Sequence, residues 1–407
     1  MQAGDYPVTS FGRARRVGGR HGHVAYFPAP IPRQIDLTGS TARLLGEAEA
    51  ALGRLAGISG LLPSPSLLTR PYVLREALSS TRIEGTRATM AEVLESDASD
   101  ERPNADVEEV LGYIDALTWG LAQLDKLPLS SRLLREMHRR LLAGTRGRSR
   151  APGELRTTQN WIGAPGSTIE TAEFVPPPAQ ELADLLTDWE RFANEDTGLP
   201  VLVQNALLHA QFETIHPFLD GNGRLGRLVL VLFLIARGRI AEPLVYLSSY
   251  IEADRERYYE SLRAVRQRGD ATPWIDLLLE AIESQANDAV GRTRQVIEIR
   301  ERYREEAARL STANAFALVD VICESPVLTS RLVERRLDVS RPTALRLLSR
   351  LEERGVLREG APGTRGKRQY VAEEMMAAVS GDGDGDVSGG QAAKLKEKTV
   401  HRSGDML

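Results

Sequence analysis

One stretch of twelve residues, HPFLDGNGRLGR at positions 216–227, concentrates residue types that bind phosphate and move protons. An apolar run, LVLVLFLIA, follows it directly and predicts a buried helix. A glycine-containing loop entering a helix exposes free amides at the positive end of the helix dipole, which favours an anion. Arg224 and Arg227 share one face of that helix and can clamp a phosphate. His216 can act as a base, and Asp220 suits Mg2+ beside phosphate.

Two competing kinds of site have less support. The phosphate-binding pattern GxxxxGK[ST] does not occur in the sequence, and the GTRGK stretch near the C-terminus lacks the required glycine and hydroxyl spacing. No HExxH zinc motif occurs either, and the single cysteine, Cys323, excludes an intrachain disulfide and a cysteine-rich metal site. His209 precedes His216 by two helical turns and is interpreted as a buried, hydrogen-bonded histidine.

Length and composition limit the class of protein. A chain of 407 residues with 42% hydrophobic and 27% charged residues is typical of a globular protein with two or three domains. The net charge of −4 implies no global attraction to nucleic acid, so only a local patch could bind it. No apolar run reaches the roughly 20 residues that span a bilayer, and the first residues do not resemble a secretory signal. We therefore expect a cytoplasmic protein without a membrane anchor.

The elements that must position the loop are predicted to be helical, because apolar residues recur every three or four positions. The predicted helices before the motif are Leu67–Ile83, Asp106–Leu121, Ser130–Leu142, Glu181–Asn194 and Leu202–Thr214. Residues 159–175 differ, since two extended pieces flank a glycine-rich turn, and a β-hairpin flap is predicted there. Residues 1–35 are rich in glycine, proline and arginine and predict an extended arm, ordered only if it packs on the body.

The region from Ser311 to Tyr370 follows a different pattern. Helices at Ala315–Glu324 and Thr329–Leu337, and a third opened by Ser340, have helix-turn-helix spacing, and a basic glycine-rich turn between two short strands predicts a wing. Eleven basic residues outnumber five acidic ones between positions 327 and 370. The candidate DNA contacts at the start of the third helix are Arg341, Thr343 and Arg346. Basic winged helices also bind proteins or form dimers, so both kinds of partner remain open.

The stretch at 216–227 resembles the Fic family signature HPFx[D/E]GNGRxxR at every defined position. The segments QFETIHPF, GELRTTQNWIG, FVPPP and YIEADRERYY are also similar to the bacterial adenylyltransferase branch of that family, which carries a C-terminal winged helix. The resemblance implies a mainly α fold: a Fic helical-bundle core with a small β-hairpin flap, followed by a winged helix-turn-helix domain. It also implies an enzyme that transfers AMP from ATP to a Tyr, Thr or Ser hydroxyl of a protein and releases pyrophosphate.

Roles carried over from the family fall on individual motif positions. The resemblance implies that His216 is the general base and that Asp220 holds Mg2+ between the α- and β-phosphates. Arg224 would contact the nucleotide phosphates, Arg227 would hold the γ-phosphate, and Phe218 would anchor the loop in the core. The remaining members of the implied phosphate nest are Gly221, Asn222 and Gly223.

The YIEADRERYY segment departs from the family at one position. The family often has asparagine before Arg255, whereas this chain has Asp254, so the nucleotide contact expected there is in question. Tyr258 or Tyr259 is the candidate to face the adenine. Both assignments come from the resemblance alone.

The end of the helix that precedes residue 85 carries a second family pattern. SSTRIEG places Ser80, Glu84 and Gly85 at the defined positions of the inhibitory motif [S/T]xxxE[G/N]. A glutamate at the negative end of a helix dipole is mildly unfavourable, which suggests that it has a cationic partner. The resemblance names that partner as Arg227 and implies that Glu84 displaces the γ-phosphate, so that the enzyme inhibits itself.

The expected division of the chain is an N-terminal arm (1–35), a helical region with the inhibitory helix (36–100), a Fic catalytic core (101–287), a connector helix (288–310), a winged-helix domain (311–375) and a disordered tail (376–407). The family implies a target protein docked as an added strand on the flap, and a homodimer is a further expectation. The alternatives left open are a nucleotide-sensing transcription regulator, an enzyme that also removes AMP, and transfer of another nucleotide or of phosphate.

Overall fold

The computed structural model describes residues 1–18, 22–60, 66–90, 92–93, 96, 103–144, 146–360 and 368–380. Two compact units divide the chain: one comprises Met1–Pro65 with Tyr72–Val290, and the other comprises Ser66–Pro71 with Gly291–Leu407. No helix of the described residues is both long and apolar enough to cross a membrane. The 216–227 motif lies wholly in the first unit.

The first unit is built mainly from helices. Its described elements are β1 (Gly12–Val17), β2 (His23–Pro28), α1 (Gly39–Ser59), α2 (Ser66–Ile83, of which Ser66–Pro71 belong to the second unit), α3 (Ala105–Gln123), α4 (Ser131–Leu141), α5 (Leu182–Asn194), α6 (Val201–Ile215), α7 (Asn222–Ala236), α8 (Ser248–Ala253) and α9 (Arg255–Arg268), and α10 (Thr272–Ala308) begins in it. The described helices agree with the predicted ones to within a few residues. Side-chain caps fix two of their starts, since the Thr38 hydroxyl accepts from the Thr41 N–H and the Asn104 amide oxygen accepts from the Val107 N–H.

The core of this unit lies around α6 and α7, which enclose the motif loop. Nearly every residue of α6 is buried, and the apolar run of α7 is buried as its sequence predicts. Several buried polar side chains of α6 donate to backbone carbonyls, as burial favours. For example, the Asn205 amide donates to the Leu230 carbonyl of α7 at 3.0 Å. The two helices therefore form a rigid base for the loop between them.

The N-terminal residues form an antiparallel hairpin, which the sequence did not indicate. β1 and β2 pair from Gly12 opposite Pro28 to Val17 opposite His23. Arginines on β1 obscure the alternation of apolar residues, and the Arg15 guanidinium in fact lies over the Phe27 ring at 3.7 Å. The expected extended arm is thus a hairpin packed on the body.

The predicted flap has less sheet structure than expected. Within residues 159–175, pairing is limited to one antiparallel bridge between Ile162 and Phe174. Phe174 packs with Tyr6 and Tyr26, and the Tyr26 N–H on β2 donates to the Val175 carbonyl at 2.9 Å. The base of the flap is therefore held by the N-terminal hairpin as well as by its own bridge.

The second unit contains the end of α10, four further helices and a small sheet. Its elements are α11 (Ala313–Glu324), β3 (Val327–Leu328), α12 (Ser330–Leu337), α13 (Arg341–Glu353), β4 (Arg358–Glu359), β5 (Tyr370–Val371) and α14 (Glu373–Ser380). The antiparallel sheet has the order β3-β5-β4. β4 and β5 lie where the two wing strands were predicted, β3 was not predicted, and the winged-helix class stays a prediction. The turn at 361–367 lies outside the described residues. The disordered tail was expected to start at residue 376, but residues 376–380 belong to α14 and are helical. Residues 381–407 lie outside the described residues.

Candidate active site

The motif loop leaves α6 and enters α7 through two residues in left-handed backbone conformations. His216 has φ +49° at the end of α6, and Gly221 has φ +76° immediately before α7. A left-handed histidine costs more than a left-handed glycine, so its surroundings must hold it in place. The His216 carbonyl accepts from Arg156 Nε at 2.9 Å and from Asn160 Nδ2 at 3.3 Å. These two side chains fix the strained turn.

Phe218 anchors the loop, as the resemblance implied. Its ring is fully buried and stacks on the His138 ring with the two centroids 3.9 Å apart. The Asn222 side chain closes the loop, because Oδ1 accepts from the Phe218 N–H and Nδ2 donates to the Phe218 carbonyl, both at 2.9 Å. The expected contribution of Asn222 to the phosphate nest is therefore limited to its backbone, since its amide group is already bonded within the loop.

His138 on α4 is a member of the site that sequence reasoning missed. The Gly153 N–H donates to its Nδ1 at 2.8 Å, so the neutral ring carries its proton on Nε2, which donates to the Asp220 carbonyl at 2.9 Å. Burial lowers the pKa of His138 to about 4 and keeps the ring neutral. His138 thus fixes the backbone beside the metal-ligand candidate. Its only sequence signal is a polar residue on the apolar face of α4.

His216 itself has the properties of a neutral base. Burial, followed by the charge of Arg156, lowers the pKa of His216 to about 4. The imidazole is therefore unprotonated near neutral pH and can accept a proton. Its side chain is 18% exposed, which leaves the ring accessible from one side.

Arg156 is a second residue of the site that the sequence did not predict. It is buried and donates to the Pro177 carbonyl at 2.6 Å and to the Ile215 carbonyl at 3.2 Å, besides its bond to His216. Burial lowers its pKa to about 10. The guanidinium links the chain after the flap to the end of α6. Its acceptors are backbone carbonyls, which leave no mark on the sequence.

Asp220 is the candidate metal ligand and lies at the edge of the loop. Its Oδ1 accepts from the Gly221 N–H at 2.6 Å, and the side chain is 45% exposed. No cluster of three or more His, Cys, Asp or Glu side chains that could hold a metal occurs in the part of the chain described. Mg2+ is commonly held by one or two carboxylates together with phosphate oxygens and waters, and one accessible carboxylate fits that mode.

Arg224 approaches Asp220 from the first turn of α7. It is nearly buried, with Nη2 3.6 Å from Asp220 Oδ1 and Nη1 3.3 Å from Glu109 Oε2 on α3. Glu109 also accepts from the Thr86 hydroxyl at 2.7 Å. The carboxylate of Glu109 therefore orients the guanidinium at the helix N-terminus, where the phosphate is expected.

Arg227 is paired with the end of α2. Its Nη2 donates to Glu84 Oε1 at 2.7 Å and to the Ser80 carbonyl at 2.9 Å, and its Nε donates to the Ser80 hydroxyl at 2.9 Å. Although burial alone would raise the pKa of Glu84, the charge of Arg227 lowers it below its usual value. A Cβ atom at Gly223 would lie 2.6 Å from Glu84 Oε1, so glycine there makes room for this carboxylate. The resemblance had predicted this contact, and the structure brings the residues together.

α2 ends at Ile83, and Glu84 and Gly85 follow it; Gly85 has φ +100°, the left-handed conformation predicted for it after the helix. Arg255 donates to the Ile83 carbonyl and so satisfies one of the free carbonyls at this helix end. Upstream on the same helix, Glu76 is fully buried and accepts from the Tyr113 hydroxyl at 2.9 Å. These contacts hold the C-terminal half of α2 at two positions, Glu76 and Ile83.

The expectation for Tyr258 is corrected. Its side chain is buried, and its hydroxyl is 2.9 Å from His209 Nε2, so it does not face the loop surface. His209 is buried and hydrogen-bonded, as interpreted from the sequence. Tyr259 is 42% exposed, and the charge of Glu84, after burial, contributes to its raised pKa. Of the two tyrosines, Tyr259 is thus placed to meet a ligand. Asp254 caps α9 by accepting from the Arg257 N–H at 3.1 Å.

The candidate DNA contacts lie in the second unit at the start of α13. Arg341 and Arg346 are exposed, and Thr343 is half-buried with its hydroxyl 3.0 Å from that of Ser340. Ser340 precedes the helix as predicted. This exposed face is compatible with the expected contacts, which stay a prediction.

The motif loop thus places a neutral histidine, an exposed aspartate and two arginines around a helix N-terminus, an arrangement compatible with a bound phosphate. Residues 42–122 match the Fic/DOC family N-terminal region, and residues 128–234 match the Fic/DOC family domain. The chain thus contains a segment similar to the Fic/DOC family N-terminal region and a segment similar to the Fic/DOC family domain.

Among curated relatives, the protein adenylyltransferase Fic of Drosophila grimshawi is 31% identical over 211 residues, which are 50% of this chain and 40% of the relative. Its counterpart in Drosophila melanogaster is 29% identical over 211 residues, covering 50% and 39% of the two chains. The present chain therefore spans only about two fifths of the length of these relatives.

Solved structures support the fold. A Fic family protein from Desulfovibrio desulfuricans G20 has a TM-score of 0.56 and 23% identity, over 83% of this chain and 97% of that chain. Fic-1 from C. elegans has a TM-score of 0.51 and 23% identity, over 63% of this chain and 74% of that chain. At this identity, the likeness establishes the architecture and not the activity.

Proposed function

We propose that the chain is a self-inhibited protein adenylyltransferase that transfers AMP from ATP to a tyrosine, threonine or serine hydroxyl of a target protein and of itself. The site supplies a neutral base in His216, an accessible carboxylate in Asp220 and cationic groups at the start of α7. Relatives named protein adenylyltransferase match this part of the chain, which supports the proposal.

The chemistry follows from the positions of these groups. His216 takes the proton from the target hydroxyl, whose oxygen forms a new bond to the α-phosphorus of ATP, and pyrophosphate leaves with the electron pair of the broken P–O bond. Backbone amides after Gly221 and the Arg224 guanidinium stabilise the charge on the phosphates. Asp220 would hold Mg2+, whose charge neutralises the phosphate oxygens when it is bound.

The observation that carries self-inhibition is the 2.7 Å contact between Arg227 Nη2 and Glu84 Oε1, made by an arginine whose side chain is only 1% exposed. Arg227 is the group assigned to the γ-phosphate. A carboxylate bonded to it competes with that phosphate for the same donors and repels its charge. ATP then binds without its triphosphate in the reactive position, and transfer stays slow.

The decisive experiment compares Glu84→Gly with the wild type in the presence of α-labelled ATP. Release of Arg227 should increase self-labelling at least about tenfold, the effect of 1.4 kcal/mol on a barrier. Glu252→Gly is the matched control, because it removes a carboxylate 4.0 Å from Arg82, beside the same helix end, and leaves the Arg227 pair intact. Equal labelling of all three proteins would contradict self-inhibition. Loss of labelling in Glu84→Gly/His216→Ala checks the base.

The donor and the direction of reaction need a separate measurement. Mass spectrometry of labelled protein distinguishes added AMP from added UMP or phosphate. Removal of AMP is the second candidate, because Glu84 is 37% exposed and can contact water beside His216. Incubating AMP-modified protein with wild type and with Glu84→Gln distinguishes AMP transfer from AMP removal. Release of AMP that depends on Glu84 favours removal.

The flap is proposed to receive the target as an added strand, since residues 159–175 contain extended backbone and an exposed Trp161. The second unit is proposed to bind DNA through Arg341, Thr343 and Arg346. In a mobility-shift assay with a salt titration, binding should weaken as salt rises, and Arg346→Ala should weaken it further. A nucleotide-sensing regulator would bind DNA and ATP but transfer no AMP.

A further inference from the structure

Glu213 is a buried carboxylate next to the base that the proposed mechanism leaves without a role. It lies on the last turn of α6 and is 7% exposed. Its Oε2 is 4.0 Å from His216 Nδ1, and its Oε1 is buried without a hydrogen-bond partner among the described residues. A buried polar atom without a hydrogen-bond partner destabilises the fold, so its presence beside the base calls for a reason.

The opposing helix leaves space for this carboxylate. A Cβ atom at Gly226 on α7 would lie 2.5 Å from Glu213 Oε1 and 3.2 Å from His209 Cε1. Position 226 is not a defined position of the signature HPFx[D/E]GNGRxxR, so the signature itself does not explain the glycine. The absence of a side chain at Gly226 on α7 therefore makes room for the Glu213 carboxylate on α6.

The orientation of the base determines what a neighbouring carboxylate can do. Nδ1 of His216 is the buried nitrogen of the ring, which leaves Nε2 for the target hydroxyl. For Nε2 to accept a proton, the neutral ring must carry its own proton on Nδ1. A carboxylate on the Nδ1 side favours that tautomer and stabilises the imidazolium that forms.

We propose that Glu213 is a positioning residue for the general base: it keeps the resting proton of His216 on Nδ1 and stabilises the ring after Nε2 has taken the target's proton. This inference rests on the proposed function. In that step the target O–H bond breaks, its proton goes to Nε2, and its electron pair forms the bond to the α-phosphorus. The 4.0 Å separation exceeds a hydrogen bond, and such contacts commonly tighten when substrates order the site.

Charged groups from three elements surround Glu213. Burial raises its pKa to about 7; Arg227 on α7 and Arg266 on α9 oppose that rise, and Glu84 at the end of α2 adds to it. Tyr258, also on α9, is a further neighbour whose own pKa is raised by burial and by Glu213. The carboxylate therefore ionises close to neutral pH. Because only the ionised form assists His216, transfer should rise with pH across this ionisation.

The kinetic test uses Glu84→Gly as the parent variant. The initial rate of AMP transfer is measured from pH 5 to 9. Removing Glu84 lowers the pKa of Glu213. In a plot of the parent's rate against pH, the rising limb should therefore lie somewhat below pH 7. Adding Glu213→Gln should lower kcat about tenfold, equivalent to 1.4 kcal/mol, without changing the Kd of ATP, and should remove this limb. Glu213→Asp, which keeps the charge, should restore part of the rate.

Gly226→Ala provides a second variant that keeps the carboxylate but displaces it. It should reduce kcat in the same direction as Glu213→Gln if placement of the charge matters. An unchanged rate and an unchanged limb in Glu213→Gln would overturn the proposal. If the Glu84→Gly parent itself transfers no AMP, the proposed function fails, and the role of Glu213 must then be judged without activity.

Nitrogen-15 NMR of histidine side chains supplies that independent measurement on the intact wild-type chain. The six histidines are few enough for His216 to be assigned by its absence in His216→Ala. At pH 8, His216 should show the Nδ1–H tautomer in the wild type and lose that preference in Glu213→Gln. The same tautomer and the same ring pKa in both proteins would overturn the positioning role, whatever the protein's activity.

Discussion

The Glu76 carboxylate on α2 accepts hydrogen bonds from both the backbone N–H and the hydroxyl of Ser248, although the two residues are 172 positions apart in the chain. Ser248 begins α8, and the Tyr113 hydroxyl of α3 donates to the same carboxylate at 2.9 Å. Three helices thus meet on one buried side chain. Glu76 fixes the helix that leads into Glu84, so the contact proposed to be inhibitory depends on a group about two turns away from it.

Replacing Glu76 with alanine should destabilise the fold and weaken inhibition together. The change leaves the Ser248 and Tyr113 donors unpaired, and each unpaired buried donor costs about 1–3 kcal/mol. We expect a loss of roughly 2–4 kcal/mol in urea unfolding, and higher self-labelling with ATP at temperatures where the variant remains folded. Glu47→Ala, which removes a surface carboxylate paired with Arg43, is the control and should shift stability by about 0.5 kcal/mol or less. A stable Glu76→Ala protein with unchanged labelling would contradict this role.

Local sequence predicted the loop and its helix because the residues that define them are consecutive. Gly221 and the buried run of α7 follow from neighbours in and directly after the 216–227 stretch, whereas the anchoring role of Phe218 came from the family resemblance. The Glu84–Arg227 pair, in contrast, joins positions 143 residues apart, and only the family resemblance connected them. Periodicity cannot pair two distant charged residues when each is compatible with a solvated surface.

The residues that were missed bind mainly to backbone atoms or to distant side chains. His138 holds the Asp220 carbonyl, and Arg156 holds the carbonyls of Ile215 and His216. A carbonyl is present at every position, so no residue type reveals such a partner. Tyr258 was misplaced for a related reason: the sequence shows a tyrosine on a helix but not which face is buried.

Removing the His138 ring should impair the site more than the fold. His138→Phe keeps the stack on Phe218 but removes the bonds to the Asp220 carbonyl and the Gly153 N–H. In the Glu84→Gly background, we expect AMP transfer to fall about tenfold, because the loop that carries Asp220 loses its support. The magnesium dependence of the rate should shift to higher concentration. His209→Phe is not a suitable control, since it breaks the bond to Tyr258.

The inhibitory pair should lose its stabilising effect in acid. The pKa of Glu84 is lower in the folded protein than its usual value, so the pair contributes stability above the unfolded pKa of about 4.3. That contribution is lost as pH falls through the still lower folded pKa. The stabilisation that wild type gains over Glu84→Gln from this pair should therefore decline as pH falls below about 4.3. A difference that instead grew toward acid would show that the carboxylate is not stabilised by Arg227.

The N-terminal hairpin should control the order of the flap. Tyr26 on β2 packs against Phe174 with ring centroids 5.8 Å apart, and its backbone bonds to Val175. Tyr26→Ala removes the ring, so the Ile162–Phe174 bridge should open more often, which hydrogen exchange at the amides of Ile162 and Phe174 reports. Val8→Ala, at a position 76% exposed, should leave exchange unchanged.

The same pair of variants tests whether the hairpin affects target binding. In the Glu84→Gly background, Tyr26→Ala should reduce modification of a target protein while the Kd of ATP stays the same, because the motif loop is held by His138, Arg156 and Asn222 independently of Tyr26. If ATP affinity falls to the same extent as modification, the hairpin supports the whole site and the flap has no separate dependence on it. Faster exchange at Ile162 and Phe174 with undiminished modification would show that an ordered flap is not needed to receive the target.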